Sequence, residues 1–392
     1  MPTSKPAAAT APPPRRARLI GRDTLLIFAL ALACRVGNLG GGFVMDDRYN
    51  VVENTEIRSL AELPRLFGHS VGGATGDDFL TGLNASFWRP VAALSWALDY
   101  AVWGAAPLGY HLVNDLLHAL SAALALALFI GLGLPRRVAF IAALVWAVHP
   151  IHTETVNLIT YRTELLATAA VLLASVWTVR RLAVPSVTAT AANRGASWRA
   201  AALGAMGLAG LYAVGLGAKE TAVVLPGIYL CLCLLAPLAP PRTLAARLRF
   251  AVPGLLLCTA ALIGWFAIRS TLIAPTQMPF FASLDTGRTV ASVLKIHAWY
   301  AKLLVWPWPL SPFWDATSLP YALSFADPLA LAGLVFDGAA VCGIAASWRR
   351  RPLVALGLAW WLLGLLPTSH LVPLPVGGAE RFVYLASLGL VI

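Results

Sequence analysis

The chain has 392 residues, of which 59% are hydrophobic and only 12% charged, and its mean hydropathy is +0.74. A soluble domain carries about twice that charged fraction, so a soluble enzyme or binding module is excluded. The net charge of +11 raises nucleic acid as a partner, but its distribution argues against that: 17 of the 29 Lys and Arg residues lie in the segments 1–22, 131–137, 180–199, 239–249 and 347–352, none of which holds an Asp or Glu.

Residues 1–22 form a basic tail rich in Ala, Pro and Arg that cannot bury a core and is expected to be disordered and cytoplasmic. The first apolar run, about 23–43, is followed by Asp46 and Asp47 rather than a small-residue cleavage site, so it reads as a retained span. A long polar loop, 44–109, comes next. Further apolar runs near 110–130, 138–156, 162–179, 200–217, 221–238, 251–271, 327–346 and 353–367 are each read as crossing about 30 Å of hydrocarbon, and only helices satisfy their own backbone there. A last run opens at Phe382 and reaches Ile392, so the chain is read as a piece of a longer protein. The fold class expected is all-α, a polytopic bundle of about nine or ten transmembrane helices occupying 23–392.

The five acid-free basic segments alternate with the apolar runs and mark the cytoplasmic side. Parity then puts 44–109 and 272–326 outside, and makes the apolar stretches 87–104 and 289–310 surface-lying or re-entrant helices rather than spans. Their Trp residues (Trp88, Trp96, Trp103, Trp299, Trp306 and Trp308) suit a headgroup region. Ala205, Ala209, Ala213 and Gly217 recur every four residues as a face of small side chains for close helix packing. Cys34, Cys231, Cys233, Cys258 and Cys342 all lie in apolar stretches without a CxxC pair and read as small buried hydrophobes.

With this topology the polar side chains gather at the outer face. The first loop supplies Asp46, Asp47, Arg89 and the Gly-flanked, solvated Asp77 and Asp78. His111, Asn114 and His118 share one helical face and also read as interhelical hydrogen-bond partners. His149, His152 and Glu154 close the third span, Arg162 and Glu164 open the fourth, Lys219 and Glu220 sit between two apolar runs, and Glu380 and Arg381 precede the last. Ionisable groups at membrane depth are costly and normally pair, line a cavity or serve function. The His149–His152–Glu154 trio is a weak metal candidate, because Pro150 interrupts it and no i, i+4 pair of ligands is present. Asp46 and Asp47 emerge where the first span meets water, which favours a functional reading over a solvated one.

Several stretches resemble one family. FVMDDRYNVVEN, FWRPVAALSWALDYAVWG, GYHLVNDLLHA, WAVHPIHTETVNLITYRTELLA, GAKET and AERFVYLAS occur in order. Together they resemble the TMTC-type protein O-mannosyltransferases (transmembrane and tetratricopeptide-repeat proteins) and their bacterial relatives, within the GT-C glycosyltransferases. The resemblance covers about 20–392; the repeats that usually follow the membrane part are missing from this sequence. It implies a polyprenyl-phosphate-linked sugar as co-substrate, mannose or a similar hexose, inversion at the anomeric carbon, no obligatory cofactor or metal, and a hydroxyl acceptor on a protein or glycan.

The residues suit that chemistry. A carboxylate can take the proton of a hydroxyl as it attacks. Asp46 and Asp47 both remain open as that base, the resemblance leaning to the first. Arg381 with Arg162 or Lys219 is expected to stabilise the departing phosphate, with Arg89, His111, Asn114, His149, His152, Glu154, Glu164, Glu220 and Glu380 lining the site. The partners expected are membrane lipids, the lipid-linked sugar and the acceptor, with no nucleic acid. The site would face away from the cytoplasm, across a bacterial cytoplasmic membrane or, in a eukaryote, the endoplasmic reticulum membrane. Two other classes fit the composition: a transporter or flippase using the acids and histidines as a proton relay, and a non-catalytic membrane scaffold. No inverted repeat supports the first, and tolerance of Asp46→Asn and Asp47→Asn would identify the second.

Overall fold

The computed structural model describes residues 21–68, 87–183, 194–237, 243–273, 280–312, 314, 317–372 and 374–392. Asp77, Asp78 and most of the basic tail lie outside them. The described residues contain helices and no strand. In chain order the main helices are α1 (Arg22–Ala33), α2 (Pro90–Trp103), α3 (Pro107–Gly131), α4 (Arg136–Val148), α5 (Thr153–Asn157), α6 (Arg162–Leu182), α7 (Arg194–Ala218), α8 (Leu225–Leu235), α9 (Leu244–Leu272), α10 (Thr286–Val305), α11 (Pro328–Ser347) and α12 (Pro352–Leu365). Several begin where local chemistry dictates. Pro stands in the first turn of α2, α3, α8, α11 and α12, where its missing N–H costs nothing. Thr243, Asp285 and Asp327 accept backbone N–H groups as N-caps of α9, α10 and α11.

Among the described residues five helices are long and apolar enough to cross a membrane: α3, residues 159–182, residues 199–218, α9 and α11. A sixth span arises if α4 and α5 count as one, bent by 49°. The bend falls at His149–Pro150, within the run read from sequence as one continuous span; Pro150 disfavours helical backbone at His149 and lacks a donor. The apolar helices at Glu220–Leu235 and Pro352–Thr368 are shorter. The first run is helical only over Arg22–Ala33, not to residue 43, and continues through a 3₁₀ turn at Val36–Gly40 into extended glycines. α2, with 14 residues, rises about 21 Å, less than the hydrocarbon thickness. α10 has the length of a span but carries Lys295 and His297 on its buried side, paired with Asp327 and Asp337 at 2.8 and 2.7 Å.

The main core packs α3, α4, α6, α7, α8 and α12 around Phe129, Trp146, Tyr212, Trp360 and Tyr384. α9 and α11 lie at the rim and leave Leu256, Ile263 and Val335 largely exposed, an apolar outer face that suits lipid. Two expectations change here. Ala213 is exposed, but Ala205 is buried and Gly217 lies against Val91, and Gly204, Gly207 and Gly215 add close contacts with Arg181, Trp177 and Ala222. Cys34 and Cys342 are exposed on the bundle's outer surface, while Cys233 and Cys258 are buried.

Candidate active site

The connection after α1 is fixed to the bundle before it reaches the acidic pair. Asn38 donates to Asp115 on α3 at 2.9 Å. Gly41 then passes so close to His111 that a Cβ there would stand 2.9 Å from Nε2, so only glycine fits. Met45 follows with φ +49°, a left-handed conformation costly for a side chain of its size. Two adjacent carboxylates follow that turn and face different ways. Asp47 points inward and is fully buried: Oδ1 accepts from the backbone N and Oγ1 of Thr160 at 2.7 and 2.8 Å, and Oδ2 from Val44 N at 3.1 Å. Burial pushes its carboxyl up against those hydrogen bonds. Asp46 points outward, is exposed, and its carboxylate has no hydrogen-bond partner among the described residues. It lies within electrostatic reach of Arg381 and Tyr161.

Beside it, the chain after α5 and the chain before Leu388 meet. Glu154 accepts from the backbone N of Arg381 at 2.7 Å and forms an ion pair with its guanidinium. Arg381 lies over the ring of Tyr161, 4.2 Å from its centroid, and beside Phe382 at 5.1 Å. Burial opposes its charge, but Glu154 outweighs this and holds the guanidinium protonated. Its Nε and Nη2 have no hydrogen bond among the described residues. Lys219, 5.5 Å from the Phe382 ring, pairs with Glu164 at 2.6 Å, and Thr221 donates to the same carboxylate at 3.1 Å. Arg89 donates twice to Glu220, at 3.1 and 2.8 Å. Glu380 is buried, accepts from Ser311 N at 2.6 Å, and burial pushes its carboxyl up to about 7.

Not every candidate faces this cluster. Arg162 is completely buried, and its three nitrogens are engaged by Asn114 at 2.8 Å, Asp99 at 2.5 Å and the carbonyl of Tyr110 at 2.8 Å, with Ser95 O at 3.4 Å. The structure therefore places it in the scaffold beneath Asp47, away from Arg381. Asn114 completes that scaffold by donating to the carbonyls of Val156 and Leu158 at 3.1 Å each. His149 binds the carbonyl of Leu304 at 3.0 Å through Nε2 and accepts from Ile151 N through Nδ1, which pins the bend to α10. His152 sits in an aromatic box, 4.9 Å from Trp146 and 4.8 Å from Tyr384, with neither ring nitrogen bonded. The two histidines and Glu154 thus turn to different partners, and no group of three or more metal-ligating side chains occurs among the described residues. Asp99, Thr160 and Tyr161 were not picked out from sequence. Thr160 and Tyr161 stand directly before the Arg162–Glu164 pair, the one local signal available for them.

The structure thus defines a polytopic all-α membrane protein with paired charges at one end of its bundle and, beside them, a carboxylate with no hydrogen-bond partner among the described residues. The chain is 26% identical to the protein O-mannosyl-transferase TMTC3 of Mus musculus over 94% of this chain and 41% of that protein. It is 27% identical to the protein O-mannosyl-transferase TMTC4 of Homo sapiens over 93% of this chain and 54% of that protein. It is also 37% identical to the protein O-mannosyl-transferase Tmtc1 of Drosophila melanogaster over 37% of this chain and 17% of that protein. The chain spans about half the length of the curated relatives it matches along its length. No family model and no solved structure matches it. Over nearly its whole length the chain is thus similar to the TMTC-type proteins.

Proposed function

We propose that the chain is a glycosyltransferase that moves a hexose, mannose or one like it, from a polyprenyl phosphate to a hydroxyl, with a protein Ser or Thr the favoured acceptor. The relatives' names support the general activity; the donor, the acceptor and the residue roles rest on chemistry. Asp46 is the base. It takes the acceptor's proton as the hydroxyl oxygen bonds to the anomeric carbon, and the bond from that carbon to the phosphate oxygen breaks with its electron pair, inverting the centre. Arg381 faces the phosphate through its unengaged nitrogens, with Lys219 next to it, and both are already in place when charge develops. Asp47, Thr160, Asn114 and Arg162 hold the base's loop. No cofactor or metal takes part in the steps proposed. The site faces the non-cytoplasmic side, where a lipid tail enters from the bilayer.

The observation that carries this reading is the division of labour at Asp46 and Asp47: one carboxylate is exposed beside a cation, and its neighbour is fully bonded. The test uses purified protein in detergent, synthetic polyprenyl-phosphate mannose and a Ser/Thr peptide. Transfer with inverted anomeric configuration, abolished by Asp46→Asn, is expected. Retention of configuration, or transfer only from a nucleotide sugar, overturns the proposal.

A further inference from the structure

Far from the acidic pair, α6, α7 and α9 leave a groove of about 70 Å³ between them. Arg181 and Arg249 line it, with Trp177, Tyr229, Gly204 and Pro253. Gly204 makes it possible: a Cβ there would stand 2.1 Å from Arg181 Cζ, so the guanidinium lies directly on the backbone of α7. Arg181 donates to the carbonyl of Ala200 at 2.5 Å and stands 5.9 Å from the Trp177 ring. Tyr229 donates to the carbonyl of Phe250 at 3.2 Å and packs on Gly254, beside the proline that interrupts α9.

The charge in this groove is uncompensated. The sequence has no Asp or Glu between Glu164 and Glu220, or between Glu220 and Asp285, so none of the three helices carries an acid near it. Among the described residues Arg181 bonds to a carbonyl and lies by the Trp177 ring with no ion pair, and Arg249 is exposed with no ion pair or hydrogen bond. The ion pairs at the opposite end, Arg381–Glu154, Lys219–Glu164 and Arg89–Glu220, show how this chain treats cations that need a protein counter-ion. Two neighbouring arginines without one, in a groove open at the side of an apolar bundle, call for an external anion. Trp177 and Tyr229 add the amphipathic rings that suit the level where headgroup meets acyl chain.

We infer that the groove between α6, α7 and α9 is a binding site for the phosphate of an anionic phospholipid, gripped by Arg181 and Arg249 with its acyl chains along the exposed apolar face of α9. Arginine suits the task because its planar fork binds two phosphate oxygens at once. The lipid would act as a structural partner, separate from any lipid-linked donor at the other end of the bundle.

The test is native mass spectrometry of the full chain in detergent, titrated with phosphatidylglycerol or with phosphatidylcholine. Phosphatidylglycerol is expected to be retained in preference. Arg249→Gln, an exposed change that leaves the fold intact, should weaken retention about five-fold, and the double variant with Arg181→Gln about 25-fold, from the usual contribution of an arginine to an anionic lipid. The variant Arg349→Gln/Arg350→Gln, with the same loss of charge in another basic segment, should bind as wild type. Equal retention of the zwitterionic lipid, an equal loss in the Arg349/Arg350 variant, or displacement of the lipid by millimolar inorganic phosphate would each overturn the inference, the last by showing an anion site without lipid selectivity.

Discussion

Exchanging each aspartate of the adjacent pair for asparagine separates chemistry from architecture. Asp46→Asn removes the carboxylate proposed as the base, yet breaks no hydrogen bond that its side chain makes among the described residues. Stability should stay within about 0.5 kcal/mol of wild type, while transfer falls by ~10²–10⁴, the usual worth of a positioned base. Asp47→Asn does the reverse. Its carboxylate accepts three hydrogen bonds through two oxygens. An amide can keep Thr160 on its oxygen but then turns an NH2 toward Val44 N, leaving one buried donor facing another. One such unsatisfied group costs about 1–3 kcal/mol. Transfer per folded molecule should therefore survive better in Asp47→Asn than in Asp46→Asn, although less folded protein is recovered. The measurement pairs thermal unfolding in detergent with turnover normalised to folded protein. Wild-type turnover in Asp46→Asn, or a stable but inactive Asp47→Asn, would refute the assignment.

The turn that precedes the pair should respond to substitution at Met45. Glycine adopts its positive φ without cost, so Met45→Gly should keep transfer and gain up to about 1 kcal/mol of stability, whereas β-branched Met45→Val should lower both; calorimetry with the transfer assay decides. Glu380 is protonated in the fold up to about pH 7, above the usual carboxylate value. Its contribution to stability is therefore fully present at low pH and is lost as pH rises from about 4.5 through 7, a change on the order of 3 kcal/mol. Melting temperature against pH should show that loss, and Glu380→Gln should flatten it. For topology, cysteines at exposed Arg65 and Arg349, in a background with Cys34 and Cys342 replaced, should react with an impermeant thiol reagent from opposite sides of sealed vesicles. Labelling from one side alone would invert the proposed placement of the acidic pair.

What the sequence made legible follows from what is local. Apolar run length identified the helical membrane class, because hydrocarbon permits nothing else to such runs, and the motifs around Asp46, Glu154, Arg162, Lys219 and Arg381 named the residues that meet at one end. Partner choice was not local. Arg381 and Glu154 lie 227 positions apart and Arg89 and Glu220 lie 131 apart, and no periodicity encodes which cation takes which acid. Arg162 looked equivalent to Arg381 in one dimension, and only the position of Asp99 on α2 separates a scaffold cation from one beside the site. The proposed preference for Asp46 over Asp47 rests on which of the two is exposed and which is hydrogen-bonded to Thr160, a long-range contact that no local pattern encodes. α1 ends at Ala33, before the glycines at 37 and 40–42 that lie within the apolar run read to residue 43.

The paired cations pose a physical question: why the site proposed for a phosphate keeps Arg381, Lys219 and Arg89 neutralised by Glu154, Glu164 and Glu220. An unpaired cation beside hydrocarbon would be costly in every resting molecule, and the carboxylates hold each one in place without a ligand. Arg381 is only 10% exposed, so Glu154→Gln should cost about 3–5 kcal/mol, the usual price of leaving a buried charge without its partner. A bound phosphate would restore much of that loss, since it supplies the missing anion. Polyprenyl phosphate should accordingly raise the melting temperature of Glu154→Gln more than that of wild type, by linkage to a tighter-binding folded state. Glu380→Gln serves as the control, because it leaves Arg381 paired. If polyprenyl phosphate shifts wild type and Glu154→Gln equally, the phosphate does not meet Arg381, and the cationic subsite must lie elsewhere on the outer face.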